Sequence, residues 1–398
     1  MFLLGLYVAL FFYLNAIVFL IGILSAEPII KQNASDSESV GWKALDFVVN
    51  EKLYGISWDG GEILVTDVQT YEFISISMKN IPKPWGWGKC ILLNNKIYCM
   101  PYNARVILVI DTLTDTVETL PVEGLGNLRF LGAVSFKGNI YGIEHNTEGI
   151  LDMGDCRQNV LMLNTQTLVA TVQVFGPFGG KCPSRSLYLN VKAGQNGKIR
   201  GVVSTAGGAI WYGIPSDAPF VYMYLPSIKS VQAWPFMSLG YDAGAGWNGE
   251  NVSPLHRFND GVLVRGKIYM IPFNADFVLI VHLVNSGRVT FEKPKTLSGL
   301  SKTEAKWSGA VLDPIDEKLY CIPFMYKKIL VINTKDNTMF EIPSSMIGKQ
   351  SFIGAAYWSN KLNQHKRTIF SLSYKLFVLE LGATLSPTVN ALIVSPTG

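Results

Sequence analysis

His145, His256, His282 and His365 are the side chains here best suited to moving a proton near neutral pH. His145 sits beside two insertions, with Glu144 before it and Asp152 and Asp155 after it, a pattern that admits a His–carboxylate site. His282 lies inside the apolar run Val278–Val284 and reads as a core histidine. No nucleophile elbow, phosphate loop or carboxylate pair fixed by spacing is present, so the sequence offers no catalytic motif. The five cysteines form no Cys-x-x-Cys pair and no Cys/His cluster, which leaves a structural zinc site and any cofactor without a ligand set. Cys90 and Cys99 stand symmetrically about Asn94-Asn95, where a two-residue hairpin would set them opposite each other at a non-hydrogen-bonded pair. That geometry suits either a cross-strand disulfide or two buried thiols. Cys156 and Cys182 sit in two insertions and form the stronger disulfide candidate, while Cys321 reads as a buried free thiol.

The elements that must position these groups announce themselves by repetition. Lys96-Ile97-Tyr98-Cys99-Met100-Pro101-Tyr102-Asn103-Ala104 returns as Lys267-Ile268-Tyr269-Met270-Ile271-Pro272-Phe273-Asn274-Ala275, and again as Lys318-Leu319-Tyr320-Cys321-Ile322-Pro323-Phe324. The register tyrosine falls at Tyr54, Tyr98, Tyr141, Tyr212, Tyr269 and Tyr320, with Phe370 as a weaker seventh member. Units of this length bury their apolar faces only against one another, and the count predicts a single all-β propeller of seven four-stranded blades. The boundaries are expected near 43–80, 85–122, 128–175, 188–236, 256–294, 306–343 and 351–395, after a linker over 27–42. Within a blade, a small-residue strand such as Gly132-Ala133-Val134 is followed by a tight turn, the tyrosine strand, and an apolar strand such as Val106–Ile110. A fourth strand comes after Asp111-Thr112-Leu113-Thr114-Asp115.

The run Val109-Ile110-Asp111-Thr112-Leu113-Thr114-Asp115-Thr116-Val117 resembles the repeat of YVTN-type propellers, with kelch-like Gly and Trp positions, and Val331–Thr338 is similar to it. The resemblance implies a propeller and a surface-layer or interaction role, and it brings no catalytic residues with it.

Residues 1–26 carry no charged side chain and fit either a cleaved signal peptide or an uncleaved transmembrane signal anchor. Both place the propeller outside the cytoplasm, secreted or membrane-anchored, with the membrane touched only through residues 1–26. Asn33 and Asn251 lie in glycosylation sequons. The net charge of +4 is thinly spread, and His365-Lys366-Arg367 is too short for a nucleic-acid footprint and reads as a solvated hairpin tip.

Chain direction puts the loops before each first strand and after each second strand on one face, here called the top. An aromatic just before the small-residue strand recurs there as Trp42, Trp87, Phe130, Phe258, Trp307 and Phe352. Such a ring either lines the channel mouth and stacks on a ligand or wedges between blades. Asn103 and Asn274 after the second strand read as turn formers. Three insertions, 147–159, 176–186 and 238–256, break the symmetry on that same face, the last with Tyr241 and Trp247 among glycines. The sequence therefore points to a recognition module for a protein or glycan ligand at the cell surface, bound through top-face loops of blades 3–5, with His145 beside them. A structural coat component and a hydrolase or lyase with a channel-mouth site are the alternatives.

Overall fold

The computed structural model describes residues 42–57, 61–81, 83–84, 86–145, 158–177, 199–216, 220–235, 257–284, 288–301, 305–343, 354–359, 367–372 and 376–381. Among them the regular elements are β-strands, apart from single 3-10 turns at Ala206–Gly208, Pro226–Ile228 and Lys295–Leu297. No helix among the described residues is long and apolar enough to cross a membrane.

Antiparallel meanders follow one another along the chain. The first contains β1 (Trp42–Val49), β2 (Lys52–Ser57), β3 (Glu62–Asp67) and β4 (Phe73–Ser77), and the second β5 (Trp87–Leu93), β6 (Lys96–Pro101), β7 (Val106–Asp111) and β8 (Thr116–Glu123). The third has β9 (Phe130–Phe136), β10 (Asn139–Glu144), β11 (Gln158–Asn164) and β12 (Val169–Pro177). The fourth has β13 (Ile199–Ser204), β14 (Trp211–Pro215), β15 (Phe220–Leu225) and β16 (Ser230–Pro235). The fifth holds β17 (Phe258–Val264), β18 (Lys267–Pro272), β19 (Leu279–Val284) and β20 (Arg288–Glu292). The sixth holds β21 (Trp307–Asp313), β22 (Lys318–Pro323), β23 (Lys328–Asn333) and β24 (Thr338–Pro343). The last, β25 (Ala356–Ser359), β26 (Arg367–Leu372) and β27 (Leu376–Leu381), has three strands among the described residues.

The first strand of each unit packs beside the first strand of the next, and β25 comes back against β1. Leu53 and Leu64 of the first unit share one apolar cluster with Ala356, Phe370, Leu372 and Val378 of the last, which closes the ring. The inner strands must be lined with small residues because they converge. A Cβ added to Gly88 would collide with the carbonyl of Phe130 in the next unit. Second and third strands are buried on both faces, which is why they read as unbroken apolar runs. The outer strands β8 and β24 alternate instead between exposed and half-buried positions.

The hairpin and turn chemistry appears as the sequence implies. Asn94 and Asn95 both take left-handed φ values, 52° and 58°, as a type I′ turn requires. Asp111 accepts from the amides of Leu113 and Thr114, Asn164 from Gln166 and Thr167, and Asn333 from Lys335. The threonine that follows reaches back to its own unit's first turn: Thr112 and Thr334 donate to the carbonyls of Asn95 and Glu317, each at 2.8 Å.

Cys90 and Cys99 are direct partners across that first hairpin and form a disulfide. Cys321 is a buried free thiol, pushed well up from its ordinary value by burial. Cys156, Cys182, Asn33, Asn251, Tyr241, Trp247, Phe352 and residues 1–41 lie outside the described residues.

Two expectations are corrected. Arg367 does not belong to a solvated tip: it is 6% exposed at the start of β26, and its Nη1 donates to the fully buried Asp313 of β21 at 2.6 Å, joining the sixth and seventh units. His282 is half-exposed rather than in the core, with Nε2 2.6 Å from the Glu292 carboxylate on the neighbouring strand.

Candidate functional site at the channel mouth

The aromatic at the head of the inner strand in units two, three, five and six is a seal. Trp87 is 8% exposed, and Phe130, Phe258 and Trp307 are fully buried, each inside a cluster that spans two units. The indole N–H groups of Trp87 and Trp307 donate to the carbonyls of Val106 and Lys328, at 3.0 and 2.9 Å, tying inner strand to third strand. These four rings therefore present no face to a ligand. Trp42 opens β1 at the corresponding place in its unit.

His145 is 7% exposed, with Nδ1 2.5 Å from the carbonyl of Ile199 and its ring edge-on to Tyr102 at 5.9 Å. It bridges units two, three and four. The neighbouring Glu144 carboxylate is buried and accepts from Asn159, while Asp152 and Asp155 lie outside the described residues.

The asparagines after the second strand are turn formers. The amides of Tyr102, Asn103 and Ala104 converge on the carbonyl of Gly86, and those of Phe273, Asn274 and Ala275 on the carbonyl of Arg257. Asn274 also accepts from the amide of Ala305 at 2.7 Å. This convergence is the physical content of the repeated Pro-Tyr-Asn-Ala and Pro-Phe-Asn-Ala. The aromatic that follows the proline of each phrase, Tyr102, Phe273 and Phe324, stays only half-buried on the top face. Arg129 lies over Tyr102 at 5.5 Å and Arg200 over Phe273 at 5.7 Å, while Phe273 and Phe324 contact each other at 5.5 Å.

Inside this rim sits a charged group that the repeat pattern conceals. The inner strands of the seven units carry six charged side chains: Lys43, Asp46, Lys89, Arg200, Asp260 and Asp313. Asp313 belongs to the far end and its Arg367 partner. The other five lie toward the top, on units one, two, four and five. Lys43 donates to the carbonyl of Gly88 at 2.8 Å, and Lys89 pairs with the Asp46 carboxylate. Arg200 Nη1 donates to Asn259 Oδ1 at 3.0 Å, and the Asn259 amide donates in turn to the carbonyl of Ser308. Neighbouring units are thus stitched laterally just inside the mouth.

Asp260, on unit five, is not a neighbour of units one and two, and the ring of inner strands sets it on the opposite side of the channel from Lys43 and Lys89. Its carboxylate lies between two backbones that lack side chains: Cβ atoms added to Gly201 and Gly309 would stand 3.0 and 3.2 Å from its oxygens. Burial raises the Asp260 carboxyl above its ordinary value despite Lys89 opposite. Burial also lowers the Lys43 ammonium to about 8, against the pull of Asp46. For Lys89 burial acts in the same direction, but Asp46 and Asp260 outweigh it and raise the group. Lys89 and Asp46 stay 31% and 35% exposed at the side chain.

The sequence held one signal for this site. Position by position after the seal, the units read Lys43, Gly88, Leu131, Arg200, Asn259, Ser308 and Ile353, a column that never repeats. Its direction was hidden because the inner strands of units one to six carry a bulge, with register shifts at Ala44/Val48, Trp87/Cys90, Ile143/Glu144, Ile199/Gly201, Phe258/Asp260 and Trp307/Gly309. In units two to six one extra residue reverses the alternation of faces, and bulges re-aim side chains in this way.

No family model and no curated protein sequence matches the chain. Solved structures do. A streptogramin B lyase structure aligns with a TM-score of 0.58 at 10% identity, over 86% of this chain and 93% of that one. The Cps50 (Swd1) β-propeller domain of Myceliophteria thermophila aligns at 0.54 and 8% identity, over 85% and 95%. YCF48 bound to D1 peptide aligns at 0.56 and 9% identity, over 91% and 99%. Identities this low carry the fold alone. Together with the strand pairing and the closed ring of inner strands, they establish the chain as a β-propeller.

Proposed function

We propose that this chain is a non-catalytic, seven-bladed recognition propeller of the YVTN/kelch-like kind, displayed outside the cytoplasm, which binds a protein or glycan ligand at the top of its channel. One observation carries this: the side chains that break the repeat collect at one mouth. Lys43, Lys89, Arg200, Asn259 and Asp260 stand within three residues of their strands' top ends, inside a rim of half-buried aromatics and guanidinium groups. The chain segments between Glu144 and Gln158, Pro177 and Ile199, and Pro235 and Phe258 also leave from that face. Aromatic faces beside cationic groups suit sugar rings and peptide side chains alike. A propeller of similar fold binds a peptide. The Cys90–Cys99 disulfide and the apolar residues 1–26 support an oxidising, extracytoplasmic setting.

The test is a glycan array and a cell-surface peptide library probed with the full chain, beside a version lacking 238–256. Specific binding lost with that segment supports the reading, and silence on both from folded protein overturns it. A second reading, a lyase or hydrolase at the same mouth, draws on Lys43, whose ammonium is lowered to about 8 by burial. Turnover of a bound ligand that Lys43→Met abolishes would replace the first reading with this one.

A further inference from the structure

We propose that the channel mouth is an anion-binding site, which takes a carboxylate- or phosphate-bearing ligand group between Lys43, Lys89 and Arg200, with Asp260 as the carboxylate that sets its charge. The inference rests on the reading that this face binds a ligand, and it specifies the chemistry.

Charge balance is the first support. Three cations face two carboxylates on these inner strands, and Arg129, Arg257 and Lys306, immediately before the top ends of β9, β17 and β21, add positive charge to the same face. The cluster therefore keeps a positive excess, which grows whenever Asp260 is protonated. Placement is the second support. Lys43 and Lys89 come from units one and two, while Arg200 and Asp260 come from units four and five across the channel. A ligand entering along the axis meets donors from both sides. Construction is the third. Arg200 is held by Asn259, Asn259 by Ser308, Lys43 by Gly88 and Lys89 by Asp46, so the cations are positioned before any ligand arrives.

The groups facing Lys43 are Asp46 on its own strand, Lys89 on β5 and Asp260 on β17. Those facing Asp260 are Lys89, Lys43 and Asp46, and Asp260 also acts on the Cys321 thiol on β22. Lys43 loses its charge as pH rises through about 8, so anion affinity falls over that window. An anion bound at pH 8 draws a proton onto Lys43.

The experiment is isothermal titration of the full chain with citrate and, separately, with inorganic phosphate, at constant ionic strength and with glycerol as the uncharged control. Expected is saturable binding of at least one anion and none of glycerol, with the citrate and phosphate arms separating carboxylate from phosphate preference. Lys43→Met and Arg200→Met should each weaken binding about tenfold, while Asp260→Asn should tighten it several-fold. A variant that merely loosens the fold cannot give that gain. At pH 8, titrations in two buffers of different ionisation enthalpy should show proton uptake in the wild type and none in Lys43→Met. Absence of saturable binding, or Asp260→Asn weakening it, overturns the proposal. If the array and library show a ligand but citrate and phosphate do not bind, the recognition reading stands and this inference falls.

Discussion

The Tyr54 hydroxyl donates to Asp115 Oδ1 at 2.7 Å, from the second strand of unit one to the third turn of unit two. Tyr269 makes the same reach to Asn337 Oδ1, also at 2.7 Å, between units five and six. Asp115 and Asn337 occupy the same turn position with φ near 53° and 57°. The two halves of the repeat, Lys-x-Tyr and Asp/Asn-Thr-x-x-Asp/Asn, are thus written for each other across a unit boundary. Tyr54→Phe is expected to destabilise the protein by about 1.5–3 kcal/mol, the worth of a hydrogen bond to a charged group, measured by urea unfolding. Tyr98→Phe should cost less, because Leu168 holds the matching turn position of unit three, with φ 57°, and offers no acceptor.

Between units six and seven an ion pair adds to the apolar join. Arg367 and Asp313 are 7% and 0% exposed at the side chain, and Arg367 also reaches Asp316 at 3.2 Å. Asp313→Ala should cost about 3–5 kcal/mol by leaving the guanidinium without its buried partner, whereas Asp313→Leu with Arg367→Met together should cost far less. A double-mutant cycle on thermal unfolding checks both. Equal losses in the single and double variants would show that the ion pair is not what joins these units.

The disulfide closes a short hairpin within unit two. Reduction, or Cys90→Ala with Cys99→Ala, is expected to lower stability by about 3 kcal/mol on the chain-entropy account. Calorimetry with and without reductant tests it: the wild type should shift by more than the double variant, whose remaining response would report a Cys156–Cys182 bridge. Cys321→Ala should leave the response to reductant unchanged.

How far the sequence could be read follows from what each residue pattern encodes. Strand identity, turn residues and the Cys90–Cys99 pairing were legible because they depend on local geometry repeated unit after unit. Arg367 was misread because its partner Asp313 lies 54 positions away on another unit. Trp87, Phe130, Phe258 and Trp307 raised two roles, and only packing between units showed them as seals. The channel group escaped altogether. Lys43, Lys89 and Asp260 lie in different units, the bulges disturb the alternation that would reveal their direction, and their meeting is a property of the closed ring.

Lys43 makes stability depend on pH in a defined sense. Its folded value of about 8 lies below the ordinary 10.5, so the unfolded chain holds that proton more tightly. Its penalty is fully present below about pH 8 and is relieved as pH rises from there to about 10.5. Lys43→Met should therefore stabilise the protein at pH 7 relative to wild type, with the advantage shrinking by pH 10. Urea titrations of both proteins at the two pH values measure this, and an advantage independent of pH would show that Lys43 is not desolvated.

Ligand is expected to bind at the channel mouth and not along the outer edges of the units. Affinity for whichever array or library ligand is found should be compared in Arg200→Glu, at the mouth, and Ile74→Asp, on the exposed outer strand β4. The account predicts at least a tenfold loss in Arg200→Glu and unchanged binding in Ile74→Asp. The reverse, with self-association also lost in Ile74→Asp by sedimentation, would contradict it and identify a structural coat component held together by its edges.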